Sequence, residues 1–263
     1  MTLIADIERR FSGIARLYGH EALQRFQTSH VCVVGVGGVG SWAVEALARS
    51  GIGHLTLIDL DIICESNTNR QLPALDPYFG MAKVTALAER VHAINPQCQV
   101  TTIEDFVSED TVETQLNNGY HFIIDAIDNL QVKVAIARWC ISKHQPFIVS
   151  GGAGGQLDPC QIKVADLSRV THDPLLAKLR YTLRRYHGFV RNPEKSMHIP
   201  CIYSTETLIY PQTLRCDKTH RDSPQGLSCS GFGASMTVTA TFGMIAVAKT
   251  LASLTQPLKI NRV

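Results

Sequence analysis

The chain has 263 residues, with 25 Lys and Arg against 23 Asp and Glu and 45% hydrophobic residues, enough to bury the core of one large domain. That balance excludes the disordered and collagen-like classes, and a net charge of +2 argues against a surface that is a polyanion binder throughout. Eight cysteines are scattered with no Cys-x-x-Cys pair, so neither a disulfide framework nor a recognisable zinc site is expected. The start, MTLIADIERRFSG, lacks the apolar run of a secretory leader, and a reducing cytoplasm fits best.

In chain order, HVCVVG (30–35) is an apolar, β-branched run that predicts a strand, followed by glycines and by helical spacing in SWAVEALARSGIG. HLTLIDLD (54–61) predicts a second strand ending in acids, and 80–94 a helix stopped by Asn95-Pro96. QVTTIE (99–104) alternates like a strand, and Ser108 is a plausible cap for the polar helix after it. YHFIIDAID (120–128), VKVAIARWCISKH and PFIVSGG (146–152) continue as strand, helix and strand. This rhythm predicts an α/β fold of Rossmann-like type, a doubly wound, mostly parallel sheet.

Past Gly155 the rhythm changes, and residues 156–263 are expected to be an extension of the domain formed by 1–155. GQLDPCQIKVADL (155–167) reads as an extended pair or bent strand. Asp173-Pro174 predicts a helix start, with Leu175, Leu176, Leu179, Leu183 and Tyr186 on one face and Lys178, Arg180, Arg184 and Arg185 on its flanks. Residues 191–225, broken by four prolines, are expected to be loop around the short run IPCIYS. Residues 231–248 carry no charge, the length of a membrane span, but eleven of the eighteen are Gly, Ala, Ser or Thr. A buried, closely packed helix is the expectation there, in preference to a membrane segment.

Gly35, Gly37, Gly38 and Gly40 follow a strand and open a helix, and Asp59 ends the next strand. That context lets backbone approach phosphate at a helix N-terminus while the acid takes ribose hydroxyls. Glycines and acid alone would suit a dinucleotide. Asp61, the run SNTNRQ (66–71) and Lys83 change the expectation, because a triphosphate needs cations on its outer phosphates as pyrophosphate leaves. Asp128 in IDAIDN sits on the ligand edge of such a sheet and suits Mg2+ carried in with phosphates. Taken singly, Arg70 and Lys83 read equally as surface charges and Asp128 as a helix cap.

Together GVGGVG, LIDLD, SNTNRQ, Lys83, Ile94-Asn95-Pro96 and IDAIDN resemble the adenylating superfamily of ubiquitin-activating and sulfur-carrier-activating enzymes. The resemblance implies ATP as co-substrate and Mg2+ on Asp128. It places Asn67, Asn69, Arg70, Gln71 and Lys83 around the phosphates, with Asp61 and Asn129 beside them. It also implies a homodimer in which Arg16 reaches into the neighbouring subunit's site. RFSGIARLYG, GGAGGQLDP, DPLLAKLR, YSTET and CSGFGA are similar to the tRNA threonylcarbamoyladenosine dehydratases over nearly the whole length. That family uses ATP to cyclise the threonylcarbamoyl group on the adenosine beside the anticodon of tRNAs reading ANN codons. It also implies a cysteine desulfurase and its sulfur acceptor as partners.

Two rival readings stay open. An activator of a small sulfur-carrier or ubiquitin-like protein would need a cysteine to accept the acyl group, and Cys229 is the candidate. A non-catalytic nucleotide binder would need only the glycine turn. Residues 169–195 hold seven Lys and Arg against two Asp and Glu, leaving 18 basic against 21 acidic elsewhere. Such a local excess suits tRNA through Lys178, Arg180, Arg184 and Arg185, with Tyr181, Tyr186 and Phe189 interleaved. No DNA partner is expected.

Overall fold

The computed structural model describes residues 6–210 and 232–255. Its apolar runs become β1 (His30–Val34), β2 (His54–Ile58), β3 (Gln99–Ile103), β4 (Phe122–Asp125) and β5 (Phe147–Ser150). With β6 (Ile162–Asp166) and β7 (Pro200–Ser204) they form one seven-stranded sheet in the order β3-β2-β1-β4-β5-β7-β6. All pairings are parallel except β6 with β7. The order reverses between β1 and β4, which opens a crevice at their C-terminal ends.

Alternate residues of each strand face opposite layers. Val31, Val33, Leu55 and Leu57 pack with α2 (His20–Thr28), α3 (Gly40–Arg49), α4 (Lys83–Ile94) and α8 (Met236–Thr255). Cys32, Val34, Ile123 and Val149 pack with α5 (Val112–Leu116), α6 (Leu130–Ser142) and α7 (Pro174–Tyr186). A further helix, α1 (Ile7–Tyr18), is fixed by the Arg10 guanidinium, which donates to the carbonyls of Ala93 and Ile94 at the end of α4.

Four sequence expectations change. The short run IPCIYS, within the expected loop region, supplies β7, inserted between β5 and β6 with Cys201, Ile202 and Ser204 fully buried. The segment 155–167 is a short turn leading into the single strand β6, whose pairing partners lie 34 to 42 residues on. The polar helix starts at Val112, after a turn in which Thr111 N–H donates to Ser108 Oγ. Tyr186, the last residue of α7, is 67% exposed and does not join the buried leucine face.

α8 is long and apolar enough to cross a membrane by length and composition. In the fold it packs along α3 and the sheet, burying Val238, Phe242, Ala246, Val247 and Leu251. The approach is closest at Gly243, where a Cβ would lie 2.6 Å from the Val39 carbonyl oxygen and 3.0 Å from Ala43 N.

His30, His54 and His121 meet at the opposite edge of the sheet from the crevice. The His30 and His54 rings stack with centroids 3.5 Å apart, His30 also faces Tyr120, and His121 Nδ1 accepts the His30 N–H. Burial, then the two neighbouring imidazoles, lowers the His30 pKa to about 4, and burial lowers that of His54.

Gly243→Val should force α8 off α3 and cost about 2 kcal/mol, seen as a lower urea midpoint with an unchanged slope. Unfolded His30 takes up a proton below about pH 6.5 while the folded ring stays neutral to about 4. Its contribution to stability is therefore full above pH 6.5 and lost as pH falls toward 4. The melting temperature of His30→Gln should fall less steeply across that window than that of the parent chain.

Candidate active site

The crevice is a cavity of about 930 Å³ at the C-terminal ends of β1, β2, β4 and β5. Its floor is the turn from β1 into α3. Gly35 has φ +81°, and a Cβ on Gly40 would lie 1.9 Å from the Gly35 carbonyl oxygen, so α3 can start this close to the strand only with glycine there. Gly35, Gly37 and Gly38 line the cavity, while Gly40 makes the packing contact beneath it. Side chains at Gly37 and Gly38 would fill the space in front of the Gln71 amide and the Arg70 stem. α3 has no side-chain N-cap, which leaves its first N–H groups to an anion.

Asp59 is held by two main-chain donors: Val36 N–H gives 2.7 Å to Oδ2, and Asp61 N–H gives 2.9 Å to Oδ1. Burial pushes its carboxyl above the usual range, against the pull of Lys83, whose Nζ is 4.0 Å away. Lys83 is itself buried and donates to Asp61 Oδ2 at 2.6 Å. Asp61 is exposed, so this pair has one desolvated cation and one hydrated partner.

The run 64–71 folds as a 3₁₀ turn, Glu65–Asn67, locked by Cys64 N–H donating to Asn67 Oδ1 at 3.1 Å. Arg70 Nη1 donates to the Ser66 carbonyl and to Asn69 Oδ1, both at 2.9 Å. Gln71 is buried, and its Oε1 has no hydrogen-bond partner among the described residues. The C-terminal helix braces this run. Asn69 Nδ2 donates to the Ala234 carbonyl at 2.7 Å, Met236 N–H donates to the Asn69 carbonyl, and Trp42 Nε1 donates to the Arg70 carbonyl.

Asp128 lies three residues past the end of β4, in the loop that also lines the cavity. Asn129 lines it too and caps α6, its Oδ1 accepting the N–H groups of Gln131 and Val132. Beneath the loop, Lys133 Nζ donates to Asp125 Oδ1 at 2.9 Å with both side chains fully buried, and Ile127 N–H donates to the same oxygen. Opposite, Asp173 accepts from Leu176 N–H and Gly152 N–H, joining α7 to the end of β5. No cluster of three or more His, Cys, Asp or Glu that could hold a metal occurs among the described residues. The Asp128 carboxylate on the wall fits Mg2+ that brings water and phosphate as its other ligands.

The cavity gathers Asp59, Asp61, Asn67, Asn69, Arg70, Gln71, Lys83, Asp128 and Asn129, all singled out in the sequence. It does not include Arg16, which is exposed in the last turn of α1. Nor does it include the cations of α7. There Lys178 and Arg185 are exposed, but Arg180 donates to the carbonyls of Leu167 and Val170, and Arg184 to that of Val190. Cys229 lies outside the described residues. Sequence reading missed Asp125, Lys133, Ser150 and Phe106. The last two line the cavity, and Phe106 follows a strand end, the one signal that could have drawn attention to it.

The sequence model of the ThiF family matches residues 11–262. The tRNA threonylcarbamoyladenosine dehydratase of Escherichia coli strain K12 is 50% identical over 254 residues, 95% of each chain. That of Haemophilus influenzae is 48% identical, again over 95% of each. The crystal structure of the E. coli enzyme, TcdA, in complex with ATP superposes with a TM-score of 0.86 at 47% identity, covering 96% of this chain and 97% of that one. The chain belongs to the ThiF family, within the group of the tRNA threonylcarbamoyladenosine dehydratases.

Proposed function

We propose that the protein is an ATP-dependent tRNA-modifying enzyme that dehydrates threonylcarbamoyladenosine to its cyclic form. The observation that carries the reading is the meeting of Arg70, Lys83 and Asp128 around a glycine turn in one cavity, in a chain that matches a dehydratase over 95% of each length. Residues 1–155 supply the nucleotide site, and 156–263 extend the sheet and add substrate contacts.

In the first step an oxygen of the threonyl carboxylate attacks the α-phosphorus of ATP. A new P–O bond forms, the bond to the β-phosphate oxygen breaks, and pyrophosphate leaves. In the second, a carbamoyl atom of the same nucleoside attacks the activated carbonyl and expels AMP, so the nucleoside has lost one water. The nucleophile is already tethered to its target, and proximity supplies much of the rate without an enzyme cysteine.

Asp59, oriented by Val36 and Asp61 N–H groups, takes the ribose hydroxyls. The glycine turn and the start of α3 receive phosphate. Lys83 and Arg70 stabilise charge on the departing pyrophosphate, Lys83 giving up Asp61 for phosphate. Asn67, Asn69 and Gln71 hold the run in place beside them. Asp128 and Asn129 face the same phosphates, and Mg2+ on Asp128 would supply further charge neutralisation there.

The tRNA lies along the exposed cations Lys178 and Arg185 of α7, while Arg180 and Arg184 keep that helix and its loops in shape. A homodimer would bring Arg16 of one subunit toward the other's cavity, which its exposure at the end of α1 permits. The reading puts the protein in the cytoplasm with its substrate, and a cysteine desulfurase with its acceptor belongs to the same proposal.

Mass spectrometry of nucleosides from threonylcarbamoylated tRNA incubated with the protein and ATP should show loss of one water. Pyrophosphate exchange that depends only on a small carrier protein would overturn the reading. Lys83→Ala should lower the rate by about 100-fold or more, measured in single turnover with the modified tRNA. Cys229→Ala should cyclise within about twofold of the parent. Normal adenylation without cyclisation in that variant would mean a cysteine-bound intermediate and sink direct attack.

A further inference from the structure

α7 has two unlike faces. Leu175, Leu176, Leu179 and Leu183 are buried, whereas Pro174, Lys178, Tyr181 and Arg185 are all exposed. Their spacing of four, three and four residues puts these four in one stripe along the helix. The stripe begins at the catalytic cavity, since Pro174 is part of its wall. By helical rise, Tyr181 is about 10 Å and Tyr186 about 18 Å along the axis from Pro174.

Two tyrosines stand out, Tyr181 in the stripe and Tyr186 at the end of the helix beside Arg185. Tyr181 is 61% and Tyr186 67% exposed, and their rings meet edge to face with centroids 6.5 Å apart. Neighbouring aromatic faces left in water beside cations mark an interaction surface. The charge around them chooses the partner's sign: α7 contains no acidic residue, and the excess over 169–195 is +5. An anionic partner that also offers flat apolar faces is single-stranded nucleic acid.

We infer that Tyr181 and Tyr186 form a base-stacking platform for unpaired nucleotides flanking the one in the cavity, with Lys178 and Arg185 on the intervening phosphates. This rests on the tRNA reading above and names how the loop is held. About 10 Å from the cavity mouth to Tyr181 equals roughly three steps of a stacked strand, so the platform meets bases within the same loop as the modified adenosine. A second copy of this chain, or an acidic protein surface, would be held by the same cations without needing flat rings.

The test uses the full chain and a synthetic anticodon stem-loop carrying threonylcarbamoyladenosine, titrated by fluorescence anisotropy at several salt concentrations. Tyr181→Ala and Tyr186→Ala should each weaken binding by about 5- to 100-fold, the range of one lost base stack, with the salt slope unchanged. Tyr181→Phe should bind like the parent. Lys178→Ala and Arg185→Ala should each reduce the salt slope by about 1. If the parent dehydrates the RNA but the double tyrosine variant binds it within twofold, the platform is wrong and the enzyme reading survives. A shift of the double variant to a smaller assembly with RNA affinity unchanged would also overturn it, in favour of a contact between copies. If the parent neither binds nor dehydrates the stem-loop, both readings fall together.

Discussion

The approach of α3 to the end of β1 is the constraint on which the site depends. The helix starts where a side chain at Gly40 would overlap the Gly35 carbonyl, so its axis lies lower on the sheet than any substituted residue allows. That position aims its uncapped first turn into the crevice. Beside it Gly243 of α8 comes against the backbone at Val39 and Ala43. Two glycines far apart in sequence therefore set how closely α3 meets β1 and α8 meets α3, with both helices packed on the same side of the sheet.

Within that frame the charges are arranged with unequal hydration. Lys83 is almost wholly desolvated, whereas its partner Asp61 stays in water and Asp59 is part-buried and satisfied by backbone donors. A buried cation held by an exposed carboxylate can exchange it for a phosphate at little cost, because the released carboxylate is already largely hydrated. On the other side of the cavity the polarity is fixed. Asp125 and Lys133 are both fully buried, and their pair stiffens the loop that carries Asp128 from below, where no solvent competes.

Much of this was legible in the chain of letters. The strands β1, β2, β4 and β5 are largely apolar runs because both faces of a parallel sheet are covered, and the glycine turn with Asp59 sits where such a sheet binds ligands. β7 was not legible as a strand, since a short apolar run starting at Pro200 in a proline-broken stretch has no evident partner until β5 and β6 flank it. Tyr186 has the helical spacing of the core leucines, and its exposure appears only in the fold. The Asp125–Lys133 pair joins the end of a strand to a helix across a loop, and no single periodicity runs through both elements. Arg180 and Arg184 look like free cations in sequence, and the carbonyls that bind them come from turns whose shape the sequence does not announce.

The bracing of residues 69 and 70 by Ala234, Met236 and Thr239 has a consequence for biosynthesis. The run 64–71 is made early, and its supports follow 165 to 169 residues later. On a ribosome the glycine turn and its strands can assemble early, but Asn69 has nothing to donate to until α8 has emerged and docked on α3. The full support of residues 69 and 70 is thereby tied to the synthesis of α8, and contacts of such long sequence separation close late in folding. A nascent chain that ends before α8 keeps the bonds of Arg70 to Ser66, Asn69 and Trp42 but lacks the anchoring of Asn69 by Ala234 and Met236.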